Sequence, residues 1–194
     1  MTTNILYIHG YGGDGNSRTA QTLRTYLPEN YTVFSPCFPL NPAEALELIR
    51  EIIIKEKIDI VVASSLGAFT ALRLNVHKIV INTCLYPSKE LPKRNEISED
   101  ILLGFAEFEK NTFAEICDYD KEYTIGVFST NDELFSYKDE FRKHYSKVIT
   151  IEDTHRISVE NVEKVIVPMV QALQIINLKN KHHGNESKEI NPRN

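Results

Sequence analysis

Apolar residues along the chain gather into six short runs, at 4–8, 31–35, 58–62, 78–82, 123–129 and 147–151, each of a length suited to a β-strand. Between them the spacing changes to that of amphipathic helices, over 17–27, 42–57, 66–74, 99–108 and onward from Val159. The stretch 42–57 is the clearest. Asn41 is placed to cap it, Pro42 suits its first position, Glu44 completes a pattern like a capping box, and Ala45, Leu46, Ile49, Ile52 and Ile53 make one apolar face. Strands alternating with helices predict an α/β fold, a mostly parallel six-stranded sheet with helices on both faces. The run 58–62 is nearly continuously apolar, as a strand buried on both sides requires.

The 194 residues, 42% of them hydrophobic, suit one domain, and a domain of this size buries roughly 70% of its unfolded surface. That domain is expected over 1–178. From Lys179 the chain turns polar, which predicts a tail, 179–194, too poor in apolar surface to order. A net charge of −5 gives no support for nucleic-acid binding. No apolar run approaches the roughly 20 residues of a membrane span. Met1-Thr2-Thr3-Asn4 brings neither a basic nor a hydrophobic region for secretion, so a cytoplasmic location is expected. Cys37, Cys84 and Cys117 are odd in number and lack C-x-x-C spacing, which predicts buried free thiols and neither a disulfide framework nor zinc.

The candidate chemistry begins at Val61-Val62-Ala63-Ser64-Ser65-Leu66-Gly67, where a strand turns sharply into a helix. The segment approximates G-x-S-x-G, the turn that lifts a serine hydroxyl clear of a sheet and aims the next backbone N–H at a developing oxyanion. Ala63 stands where that pattern has its first glycine, and a plain helix cap is the structural alternative. Asp132 follows the run 123–129 and His155 follows 147–151, giving the chain order Ser, Asp, His, each after its own strand. An imidazole is needed to take the serine proton, and a carboxylate to fix the imidazole tautomer. Asp153 is a rival for that role, but its position two residues from His155 makes the approach to the ring awkward. After the first strand, His9-Gly10-Tyr11 supplies a second candidate oxyanion donor, the Tyr11 N–H, beside that of Leu66. Gly10, Gly12 and Gly15 also fit the dinucleotide motif G-x-G-x-x-G, but 31–39 holds no acidic residue for a ribose.

Ile5-Leu6-Tyr7-Ile8-His9-Gly10, Ala63-Ser64-Ser65-Leu66-Gly67, Ile79-Val80-Ile81-Asn82, Asn131-Asp132-Glu133 and His155 together resemble the YqiA/YcfP-like small esterases of the α/β-hydrolase superfamily, over about residues 4 to 176. The resemblance implies a Ser65, Asp132 and His155 triad, oxyanion donors at Tyr11 and Leu66, and hydrolysis of simple carboxylic esters without cofactor or metal. Ala63 in place of glycine and the less glycine-rich Glu152-Asp153-Thr154 depart from the family pattern.

Residues 83–122 are too many for a plain connection, and their position after the fourth strand is where α/β-hydrolases insert lids. They carry ten acidic and five basic residues. If they roof the cleft, anionic substrates are disfavoured. His77 and His144 are expected at the surface, and His9 as a support of the oxyanion turn. The reading is a carboxylesterase-type serine hydrolase whose partner is a small-molecule ester, with no nucleic acid and no membrane. A thioesterase, and a non-catalytic binding module on the same scaffold, are the alternatives.

Overall fold

The computed structural model describes residues 2–186, with side chains as far as residue 176. Six strands, β1 (Thr3–Ile8), β2 (Tyr31–Phe34), β3 (Ile60–Ser64), β4 (His77–Ile81), β5 (Thr124–Asn131) and β6 (Val148–Thr154), form one sheet in the order β2-β1-β3-β4-β5-β6. Every pairing is parallel. Strand periodicity divides the core in two. Leu6, Ile8, Val61, Ala63 and Val80 face one layer, with Leu46, Ile49, Phe69 and Phe105. Ile5, Tyr7, Ile60, Val62, Ile79 and Ile81 face the other, with Leu23, Ile166 and Val170. Helices α1 (Arg18–Tyr26) and α9 (Val167–Glu186) belong to the second layer, and α2 (Pro42–Lys55), α3 (Ser65–Ala71) and α5 (Glu99–Ala114) to the first. Short helices α4 (Pro87–Glu90), α6 (Asp118–Tyr123), α7 (Lys138–Arg142) and α8 (Val159–Asn161) are the remaining α-helices among the described residues.

The expected Asn41 cap is present, and Ser17 caps α1. Asn41 accepts the Ala43 and Glu44 N–H groups, and Ser17 accepts that of Ala20. β3 starts two residues later than the pattern at 58–62 predicts. The cause is the end of α2: Lys57 adopts φ 49°, and the Ile58 N–H turns back to the Ile53 carbonyl at 3.0 Å, closing the helix with a left-handed residue that is not the usual glycine. The strand then runs to Ser64, directly before the turn that matters.

His77 and two cysteines correct the sequence expectation. His77 opens β4 and is buried, not exposed, and burial, with Lys147 and Lys78 nearby, pushes it down from 6.5 to about 4. Of the cysteines only Cys84 is buried; Cys37, in the irregular stretch after β2, and Cys117, capping α6, are exposed. A π-helical segment, Val162–Ile166, joins α8 to α9, at the point where Pro168 has no N–H to donate and would crowd the carbonyl one turn back. α9 passes the expected domain end at 178 and reaches Glu186, since propagating a helix carries no nucleation cost. The remainder of the expected tail, 187–194, lies outside the described residues. Among the described residues no helix is long and apolar enough to cross a membrane.

Candidate active site

The carboxyl ends of the parallel strands carry the site, where open α/β sheets hold their ligands. β3 ends at Ser64 and Ser65 takes φ 54°, a left-handed conformation that a residue with a Cβ holds only when its surroundings enforce it. Two glycines make the turn possible. A Cβ on Gly67 would run into the Ile8 and His9 carbonyls, so α3 packs against β1 only because that atom is missing. A Cβ on Gly10 would lie 2.9 Å from the Ser65 Cβ, so the loop after β1 likewise needs glycine to pass the serine. Ala63 is fully buried, its methyl part of the first core layer, which accounts for alanine where the motif has glycine.

The three sequence-predicted side chains lie together. His155 Nε2 is 3.0 Å from Ser65 Oγ, and His155 Nδ1 lies 3.0 and 2.9 Å from the two Asp132 oxygens. Asp132 Oδ1 also accepts the Leu134 and Phe135 N–H groups at 2.8 and 3.0 Å. Burial alone would raise the Asp132 carboxyl, but its bonds from His155 and these two N–H groups outweigh burial and hold it below the usual range. The rivals are occupied elsewhere. Asp153 accepts the Ser158 N–H, the Ser158 hydroxyl and the Asn161 amide at 2.7–2.8 Å, fastening the start of α8. The Ser64 hydroxyl bonds Tyr7 Oη at 2.8 Å.

A turn closed by Gly13 N–H to the Gly10 carbonyl at 3.0 Å, with Gly12 at φ 69°, carries Tyr11 at its first central position, a type II geometry that needs glycine at the second. Tyr11 and Leu66 both line the cavities beside Ser65, and first-turn helix N–H groups such as that of Leu66 have no intrahelical acceptor. His9 Nδ1 bonds the Gly10 carbonyl at 2.9 Å, buttressing this loop.

Sequence reasoning missed the supports of His155. Asn82, buried just past β4 at φ 45°, donates its amide to Ser129 Oγ, the Thr154 carbonyl and the His155 carbonyl at 2.9, 3.3 and 3.0 Å. It accepts the Ser129 N–H at 2.7 Å. One side chain thus ties the ends of β4, β5 and β6. Glu133 accepts the His155 N–H at 2.9 Å. Arg18 donates to the Arg156 and Ile157 carbonyls at 3.0 and 2.9 Å. The only signal for Asn82 was a buried-type strand ending in a polar residue that tolerates positive φ.

The segment 83–122 borders the cleft, Glu90, Leu91 and Arg94 lining the larger cavity and Phe105 the smaller. Its acidic excess does not face that cleft, which corrects the expected acidic roof. Glu96, Glu99, Asp100, Glu107, Glu115, Asp118 and Glu122 are exposed and line neither cavity, Glu115 pairing with Arg73 and Asp118 with Lys121, because charged carboxylates stay in water. Cys84 lines the cleft, but burial, reinforced by Glu90, pushes its thiol up to about 12, so it stays protonated. Among the described residues no cluster of three His, Cys, Asp or Glu side chains is arranged to hold a metal ion.

Residues 4–174 match the profile of the uncharacterised protein family UPF0227. No curated protein matches the chain. Similar solved structures include Est1E from Butyrivibrio proteoclasticus, with TM-score 0.70 and 13% identity over 90% of this chain and 89% of that one. A monoacylglycerol lipase of Paleococcus ferrophilus gives TM-score 0.70 and 13% identity over 89% and 96%. The esterase domain of a Rhodothermus marinus protein gives 0.67 and 13% over 89% and 87%. At such identities these likenesses establish the α/β-hydrolase fold.

Proposed function

The chain belongs to UPF0227, and from that premise we propose that it is a cytoplasmic serine hydrolase cleaving small carboxylic esters through Ser65, His155 and Asp132. The observation that carries this reading is His155 standing between the other two, one ring nitrogen 3.0 Å from Ser65 Oγ and the other on Asp132. Ser65 Oγ attacks the acyl carbon while its proton passes to His155 Nε2. The tetrahedral oxyanion is received by the Tyr11 and Leu66 N–H groups, such donors being worth about 3–4 kcal/mol each. As the carbon–oxygen bond breaks, His155 returns the proton to the leaving alcohol. A water molecule, deprotonated in turn by His155, then attacks the acyl carbon, and His155 passes that proton to Ser65 Oγ as the acid leaves. Asp132 keeps the Nδ1–H tautomer and stabilises the imidazolium.

Titration with a fluorophosphonate, read by intact mass, tests the reading. One equivalent should attach to the native protein and none to Ser65→Ala, which should also lose turnover of short p-nitrophenyl esters with its melting temperature nearly unchanged. Labelling that persists in Ser65→Ala and vanishes in Ser64→Ala would put the nucleophile at the wrong serine, and no labelling at all would favour a binding module. Matched oxygen esters and thioesters in the same assay separate esterase from thioesterase.

A further inference from the structure

Two cavities meet at the loop between β1 and α1, and their chemistry differs. The larger, about 450 Å³, is lined by Ser65, His155 and three arginines, Arg18, Arg94 and Arg156. The smaller, about 140 Å³, is lined by Phe38, Leu40, Ile49, Leu66 and Phe105, and His155 is absent from its wall. Given the serine hydrolase reading, on which this inference rests, the path of the proton decides which half of an ester lies where. His155 Nε2 must hand its proton to the departing oxygen, so the leaving group lies on the His155 side. The acyl chain then points the other way, past Leu66. We propose that the substrates are esters joining a short apolar acid to an anionic alcohol, the acyl group seated between Phe38 and Phe105 and the anion held by Arg94 and Arg156.

The charge at the cleft is opposite in sign to that of the whole chain, which is −5. Three arginines meet two carboxylates, Asp14 and Glu90, in the larger cavity. Glu90 is already engaged, accepting the Tyr137 hydroxyl at 2.7 Å and the Lys93 ammonium at 2.9 and 3.0 Å. Arg18 is committed to the loop after His155. That leaves Arg94 and Arg156, both exposed, neither with a carboxylate within ion-pair distance among the described residues. The Arg94 guanidinium stands 5.5 Å from the centre of the Phe135 ring, which packs perpendicular to the His155 ring with centres 4.8 Å apart, so it lies one ring away from the reacting centre. Arg156 directly follows His155. Planar guanidinium groups suit carboxylates and phosphates alike. An apolar cavity of about 150 Å³ accommodates benzene, which sets the acyl chain at about six carbons or fewer.

The test is a set of butyrate esters of benzyl alcohol bearing a para methyl ester, carboxylate or phosphate, so that the leaving alcohol's basicity is nearly constant. The two charged esters should exceed the neutral one in kcat/KM by about tenfold at low salt, an advantage that shrinks as ionic strength rises. Which charged ester gains more distinguishes a carboxylate from a phosphate substrate. Arg94→Gln with Arg156→Gln should bring the charged-to-neutral ratio close to one. In an acyl series, rates should fall beyond hexanoate, and Phe105→Ala should move that limit to longer chains. Turnover and fluorophosphonate labelling with no preference for the charged esters, or a preference the double variant keeps, overturns this inference and leaves the hydrolase reading intact. Absence of both turnover and labelling removes the two together.

Discussion

Opposite ends of β4 hold two buried polar clusters. At the amino end Lys78 is fully buried, its ammonium donating to Asp120 at 3.3 Å and to the Leu74 carbonyl, while Asp120 also accepts the Cys117 N–H at 3.2 Å. Burial holds Lys78 below its usual range even though Asp120 draws it up. Just past the carboxyl end, Asn82 fastens the strand to the His155 backbone, and the His155–Asp132 pair is nearly as buried, its side chains 8% and 7% exposed. A buried pair of opposite polarity is therefore not what marks the site. The carboxyl-end cluster differs in two ways: its imidazole opens through Nε2 onto Ser65 and a cavity, and its framework includes the left-handed residues Ser65 and Asn82. Strain kept beside an open cavity suits chemistry. The Lys78 ammonium is fully enclosed and only Asp120 borders a separate cavity, beside Arg73 and Cys117, so the pair serves packing and register.

Removing carboxylates one at a time should separate activity from stability. Asp132→Asn should lower kcat about 10³- to 10⁴-fold by selecting the wrong imidazole tautomer, with little change in melting temperature. Asp153→Asn should do the reverse, loosening α8 and sparing kcat. If Asp153→Asn proved the inactive one, the acid would be misassigned.

Asp120→Asn should cost about 3–5 kcal/mol of unfolding free energy by stranding a buried ammonium, while kcat/KM of the folded fraction holds. Denaturant titration measures the loss, and Lys78→Met combined with Asp120→Leu should recover most of it. An Asp120→Asn protein as stable as the parent would show that the pair carries no packing role.

His77, beside Lys78, extends the contrast into pH. Its folded value near 4 lies below the ordinary 6.5, so between those values the unfolded chain binds a proton that the folded one refuses. Stability should fall as pH drops from about 6.5 to 4, by up to about 3 kcal/mol. Urea midpoints at pH 7 and 4.5 should show a smaller difference in His77→Gln than in the parent. Equal differences would refute the assignment.

Asn82→Ala carries the smallest expected effect and the sharpest distinction. It leaves the Ser129 N–H and the His155 carbonyl without their partner and forces alanine into φ 45°. A shift of His155 by a fraction of an ångström should lower kcat about 10- to 100-fold and change KM little. Asn82→Gly relieves the backbone but not the lost amide, so it should stay slow. Recovery of kcat in Asn82→Gly would make the backbone strain, and not the amide bonds, the source of the effect.

Local patterns in the sequence determined the number, type and order of the strands, the Asn41 cap, and the three candidate side chains Ser65, Asp132 and His155, because strand alternation, helix capping and a strand-to-helix turn each act within a few residues. The fold class followed from the alternation of those elements. Tertiary structure alone decided what depends on distant partners. Lys57 ends α2 without glycine and delays β3, His77 is buried because α6 packs Tyr123 against it with ring centres 4.2 Å apart, and of the acidic residues of 83–122 only Glu90 lines the cleft, beside Arg94. Asn82 meets His155 across 73 residues of sequence. No periodicity encodes such a contact, since it forms only once the sheet has brought three strand ends together.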